Sequence, residues 1–336
     1  MMLRKRLFNV LVPRQISFSE WWRGASIPGL GCVVLCLFCA PTFAALPRVV
    51  VSINPFYGLV ASVMQGVAKP SLLLKSGASP HEYTLKPSEI RALEAATLIF
   101  WGGPALESFL IKPLAQQQAK IVAFEQVAGL RLLPLRTDME WESIDSEVSG
   151  HHHHHHSHGD AQGSIDMHFW LDPHNAIVIT KAIVRQLSAV DPEHQSHYQA
   201  NGTALIARLN ALDLKLRKKL QSIHAMPFVV FHDAYQYFER HYHLHGAGSI
   251  SLHPELPPSV KRLSVIRAII EKQKVVCLFS EPQFSPALVH SIADDLPVKI
   301  GVLDPIGTDA SPEGYFTLMD NLSEALTGCL AQKINR

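Results

Sequence analysis

The chain has 336 residues, 47% of them hydrophobic, with 30 Lys/Arg against 29 Asp/Glu and a formal net charge of +1. That length and apolar content suffice for a sizeable core and two α/β units, and the balanced charge argues against nucleic-acid binding. Nineteen histidines are the compositional anomaly.

The first 44 residues read as a leader. Arg4, Lys5 and Arg6 open a basic region, extended by Arg14 and Arg23. A short apolar run over 31–40 follows, then Pro41-Thr-Phe-Ala44 with small residues at Thr42 and Ala44. This is the layout of a secretory signal peptide over 1–44, cleaved after Ala44. The apolar run is about half the ~20 residues a membrane-spanning helix needs. Its loss removes five of the 30 basic and one of the 29 acidic residues, leaving a net charge of −3. Cys32, Cys36 and Cys39 leave with it, and Cys277 and Cys329 remain. Two cysteines in an oxidising compartment are compatible with one disulfide or with two buried thiols.

From residue 45 the pattern alternates strand-like and helix-like segments. Strands are predicted at 48–52, 71–75, 98–101 and 120–124. Helices are predicted at 55–65, from a cap at Ser88 to about Ala96 with Ile90 and Leu93 on one face, and after Gly102-Gly103-Pro104 to about Leu114. This β-α-β-α rhythm calls for a mainly parallel sheet with helices on both faces. Residues 136–164 break it with a polar, acidic, histidine-rich stretch that reads as a surface loop. A helix follows from His174 to about Val190, and Asp191-Pro192-Glu193 marks a restart. Leu205, Leu209, Leu212, Leu216 and Leu220 then keep near-helical spacing to about Ser222. A helix of ~30 residues is about 45 Å long, longer than a small domain is wide, so it is placed between two lobes. The rhythm returns with strands at 228–231, 275–279 and 298–303 and helices at 257–273, 285–295 and 313–330. The chain therefore divides into an N-terminal α/β lobe (45–190), a connecting helix (191–222) and a C-terminal α/β lobe (223–336).

Ligands of open α/β sheets sit beyond the carboxyl ends of strands. His81 (after the second strand), His168 (after the acidic loop) and His232 (after the strand 228–231) fall in such places. Three imidazoles suit Zn²⁺ with one open position. A lone histidine at a strand end is more often just a partly buried polar residue, and spacing alone leaves that reading open. The tract of His151, His152, His153, His154, His155, His156 and His158, flanked by Glu140, Glu142, Asp145, Glu147 and Asp160, is a second metal signal, pointing to borderline transition metals without choosing one. His241, His243 and His245 alternate as on one face of a strand and are expected to be solvated. Three histidines plus an open position are also a catalytic zinc layout, with Glu82 or Asp233 as base, but no zinc-hydrolase motif is present.

Five segments together resemble the zinc-specific periplasmic binding proteins of bacterial ABC importers: Gly77-Ala-Ser-Pro-His81 with Tyr83 and Leu85-Lys-Pro-Ser88; Met167-His-Phe-Trp-Leu-Asp172; Phe231-His-Asp-Ala-Tyr235; Phe279-Ser-Glu-Pro-Gln-Phe284; and Leu303-Asp-Pro-Ile-Gly-Thr308. The resemblance covers about 46–330. It implies two α/β lobes joined by one rigid helix, with the metal in the cleft between them. It implies His81, His168 and His232 as Zn²⁺ ligands and the tract 151–158 as an auxiliary metal loop. It further implies a Cys277–Cys329 disulfide, and it favours zinc over manganese because manganese relatives typically place Glu at the position of His232. Some zinc relatives carry a Glu immediately before the first ligand, where this chain has Pro80. The fourth position is then water or Asp304, and no role is transferred to Glu82. Asp233 and Glu281 are candidates for orienting ligands. The implied partners are an inner-membrane ABC permease with its cytoplasmic ATPase and periplasmic zinc chaperones. A monomeric carrier in the periplasm is expected, not an enzyme.

Overall fold

The computed structural model describes residues 45–75, 77–136, 141, 164–251 and 257–331. The leader, the histidine tract 151–158 and His253 lie outside them. The first half holds β1 (Val49–Val51), α1 (Asn54–Val63), β2 (Ser71–Leu72), α2 (Pro87–Ala95), β3 (Leu98–Trp101), α3 (Ile111–Leu114) and β4 (Lys120–Ala123). The strands form one parallel sheet in the order β2-β1-β3-β4. Every residue of β1 and β3 is buried. Such continuous apolar strands are what a parallel sheet covered on both faces requires.

After α4 (Pro173–Val190) and α5 (Gln195–Leu220), the second half repeats the plan. It runs β5 (Phe228–His232), α6 (Gln236–Tyr242), β6 (Gly246–Ser251), α7 (Val260–Lys272), β7 (Cys277–Ser280), α8 (Ala287–Ala293), β8 (Lys299–Val302) and α9 (Gly314–Leu330). Its parallel order, β6-β5-β7-β8, matches that of the first sheet position for position. No helix among the described residues is long and apolar enough to cross a membrane.

α5 has 26 residues, about 39 Å at 1.5 Å per residue. The expected leucines are its buried stripe: Leu205, Leu209, Leu212, Leu216 and Leu220. It packs on α4 and α1 and also on α9 and α6, so it touches both halves. α9 is a second strut. It returns from the second sheet to lie on α1 and α5. The two helices α1 and α9 approach so closely that a Cβ on Gly58 would stand 2.7 Å from the backbone nitrogen of Tyr315. The Cys277–Cys329 disulfide ties the far end of α9 to β7. One hydrophobic core consequently runs through both halves, from Val49–Val51 to Phe279 and Leu326. A smaller cluster around Ile250, Ile266 and Leu278 fills the space between the second sheet and its outer helices.

Several local expectations are corrected. α2 starts at Pro87, before Ser88, because Pro87 supplies the fixed φ of a first helical turn, and Glu89 accepts the Lys86 backbone N–H at 2.7 Å. Ile90 is exposed and only Leu93 faces the core. The stretch before Leu114 is a 3-10 turn at Ser108–Leu110 followed by the four residues of α3. Asp191 makes no side-chain cap; its carboxylate instead takes the Tyr198 hydroxyl at 2.6 Å and His194 Nδ1. β6 was not foreseen. Its sequence, Gly-Ala-Gly-Ser-Ile-Ser, lacks the β-branched and aromatic signature of a strand, yet all six residues are buried. The alternation of His241, His243 and His245 is not a strand face: His241 lies in the last turn of α6, His243 is its left-handed cap at φ 54°, and His245 precedes β6. Nor is His241 solvated. It is wedged between Asp172 (2.9 Å) and Asp213 (2.7 Å).

Candidate metal centre

His81, His168 and His232 come together. Among the described residues they are the group whose geometry could hold a metal ion, with ligand nitrogens all within 4.8 Å of one another. Their ring centroids stand 5.2–5.7 Å apart. The Nε2 atoms of His168 and His232 are 3.3 Å apart. A tetrahedral ion with bonds of 2.0–2.1 Å has an N···N edge of about 3.3–3.4 Å, so this pair already has the separation of two zinc ligands.

Each histidine arrives from a different segment. His232 is the last residue of β5, at the carboxyl end of the second sheet beside β7. His168 precedes the 3-10 turn Phe169–Leu171, which is locked from both sides: Trp170 Nε1 donates to the Pro305 carbonyl and Tyr315 Oη to the Trp170 carbonyl, each at 2.8 Å. Asp172 then caps α4 by accepting the His174 N–H. His81 sits in the turn after β2, its N–H 3.3 Å from Ser79 Oγ. His168 and His232 are buried and His81 is partly exposed. Pro80, Phe284, Pro305 and Ile306 complete an apolar lining, which keeps competing water from the two inner nitrogens.

The two buried imidazoles are oriented by carboxylates. Glu281 Oε1 lies 2.7 Å from His232 Nδ1, and Asp166 Oδ1 lies 2.8 Å from His168 Nδ1 while also accepting the His168 N–H at 3.0 Å. With Nδ1 so engaged, Nε2 is the nitrogen each ring turns toward the cluster. Burial first, then the neighbouring His168, pushes His232 well below the ordinary histidine value, so it is neutral and ready to coordinate. Burial pushes Glu281 well above the usual carboxylate range, against the pull of the His232 N–H and of His168.

The remaining candidates fall differently. Asp304 does not join the cluster: its Oδ1 accepts Gln283 Nε2 at 2.9 Å and the backbone N–H groups of Ile306 and Gly307 at 3.0 Å each, so it shapes the turn that carries Pro305 and Ile306. Asp233 pairs with Arg136 at 3.1 Å, and burial raises its carboxyl to about 8. Asp166 had no role assigned from the sequence. Its signal was the Asp-x-His spacing, which lets one carboxylate cap the backbone and hold the ring of the same histidine.

The family model described as "Zinc-uptake complex component A periplasmic" matches residues 49–329. The "High-affinity zinc uptake system protein ZnuA" of Brucella suis biovar 1 (strain 1330) is 38% identical over 322 residues, covering 88% of this chain and 95% of that protein. The protein of the same description from Yersinia pestis is 35% identical over 301 residues, covering 88% and 94%. Among solved structures, the periplasmic zinc binding protein TroA from Treponema pallidum superposes with a TM-score of 0.71 at 23% identity, covering 85% of this chain and 100% of that one. At that identity the likeness is one of fold.

Proposed function

Because this chain belongs to the family of the periplasmic zinc-uptake complex component A, we propose that it is a solute-binding protein of the periplasm that captures Zn²⁺ and delivers it to an inner-membrane ABC permease powered by a cytoplasmic ATPase. The observation that carries this reading is the convergence of three imidazole donors from three segments within 4.8 Å. His81, His168 and His232 are the ligands, and solvent fills the fourth position, since Asp304 is spoken for by its own turn. The role we read is carriage: of the two bases a hydrolytic alternative offers, Glu82 and Asp233, the second is paired with Arg136. The lobes are those bounded by residues 45–190 and 223–336, with 191–222 between them. The leader 1–44 directs export, and the tract 151–158 gathers metal.

The test is calorimetric titration of Zn²⁺ into the protein lacking residues 142–163, which leaves Arg136 and Trp141 in place, beside the same protein carrying His81→Ala, His168→Ala and His232→Ala. One tight site in the first that is absent from the second supports the cleft. Equal binding by both, or by neither, refutes it.

A further inference from the structure

The carboxylate that orients His168 is itself held by the element that follows His232. Asp166 is fully buried. Its backbone N–H donates to the Leu133 carbonyl at 2.9 Å, and its own carbonyl accepts the Tyr237 hydroxyl at 2.7 Å. Tyr237 Oη in turn accepts the Leu133 N–H at 2.8 Å. The Gln236 amide, with its nitrogen facing the two acceptors, donates to Asp166 Oδ2 and to the Pro134 carbonyl, both at 3.1 Å. Asp166 thus has one oxygen committed to His168 and the other to Gln236. Gln236 and Tyr237 open α6, four and five residues after His232.

We propose that Gln236 and Tyr237 are positioning residues of the metal site, which fix the Asp166 carboxylate against His168 and so make the His168–His232 pair a single preset unit. The geometry gives each a separate hold. Gln236 stops rotation of the carboxylate about its χ2, and Tyr237 stops displacement of the backbone that carries it. Without them Asp166 can turn away from Nδ1, and the His168 ring loses both its tautomer and its aim. Outer contacts of this kind typically change metal affinity 10–100-fold. The inference rests on the zinc-binding reading above.

The experiment uses the full mature chain and competition of Zn²⁺ against a chromophoric chelator, with Co²⁺ absorption as a report of ligand geometry. Gln236→Met keeps length and removes the donor, and Tyr237→Phe removes only the hydroxyl. Each is expected to weaken Zn²⁺ binding tenfold or more and to alter the Co²⁺ bands. Tyr198→Phe is the control: it breaks a similar buried tyrosine–aspartate contact of 2.6 Å, to Asp191, away from the site, and is expected to lower the melting temperature with unchanged affinity. Gln236→Met is also made with Asp166→Asn. If Gln236 acts through Asp166, it adds less than threefold in that background. Gln236→Met and Tyr237→Phe binding within twofold of the parent, Tyr198→Phe weakening binding as much as they do, or full additivity with Asp166→Asn overturns the proposal. A parent protein without a tight site overturns the zinc reading itself.

Discussion

Glu107 gives a stability prediction whose size follows from its surroundings. Its side chain is wholly buried at the carboxyl edge of the first sheet, where Oε2 accepts the N–H groups of Gly102 at 2.7 Å and Gly103 at 3.2 Å. Oε1 has no hydrogen-bond partner among the described residues. Burial raises the carboxyl from 4.5 to about 7, against the opposing influence of Ser52 and the two glycine amides. A carboxyl raised in the folded state binds protons more tightly there than in the unfolded chain. Stability therefore falls as pH rises from 4.5 toward 7 and levels off above. At 1.36 kcal/mol per unit the full cost is about 3 kcal/mol, most of it developing between pH 5 and pH 8.

Glu107→Gln keeps an oxygen for the two glycines and removes the charge. Urea unfolding of the metal-free protein, held in chelator so that zinc linkage adds nothing, should show the two proteins within about 1 kcal/mol at pH 5. At pH 8.5 the variant should be more stable by about 2–3 kcal/mol. A difference that does not change with pH would refute the reasoning. So would a variant that loses stability at high pH, because the carboxylate would then be stabilised by a neighbour and not opposed by burial.

Other outcomes follow from single contacts. Removing the disulfide by Cys277→Ser and Cys329→Ser frees a loop spanning 52 positions, worth about 4 kcal/mol of unfolded-state entropy, and calorimetry should show a melting drop on the order of 10 °C. His241 is drawn down by burial, but Asp172 and then Asp213 outweigh this and raise it. Its stabilisation is complete below about pH 6.5 and fades as pH climbs through the folded value, so His241→Gln should cost more stability at pH 6 than at pH 9 in parallel unfolding curves. Glu281 backs His232 Nδ1 at 2.7 Å, so Glu281→Ala, which removes that support, should weaken Zn²⁺ binding about tenfold or more in chelator competition. With α5 and α9 both spanning the halves, solution scattering of metal-free and zinc-loaded protein should nearly superimpose, and a change in radius of gyration above about 1 Å would contradict two fixed struts.

The architecture was legible because its central strands are buried: Val49–Val51, Leu98–Trp101 and 228–231 are apolar runs bounded by turns, and the all-parallel pairing follows from the helices between them. Of the three clustered histidines only His232 ends a strand; position alone left a metal reading open, and it was the resemblance that drew His81, His168 and His232 into one set. The failures share one cause. β6 is built of small residues whose burial comes from α7 and β5 packing on it, not from local preference. His241 looked like a surface histidine because both of its carboxylates, Asp172 and Asp213, lie 69 and 28 positions away. Asp304 was offered, beside water, only through the resemblance, and the three donors that occupy its Oδ1 become visible only when the turn is folded.

Where the charge sits explains why this site suits zinc. A carboxylate bound directly to the ion would favour hard cations such as Mg²⁺ or Mn²⁺, whereas imidazole favours borderline metals. Here the carboxylates of Asp166 and Glu281 are placed one ring further out, behind His168 and His232. The ion would meet three imidazole nitrogens and solvent, with its charge answered through the Nδ1 contacts behind two of the rings. Asp166 supplies its part in advance, held by Gln236 and Tyr237. Glu281 stands behind His232 in the same way, so both carboxyl groups act on the ion only through an imidazole, and the donor set stays that of a borderline metal.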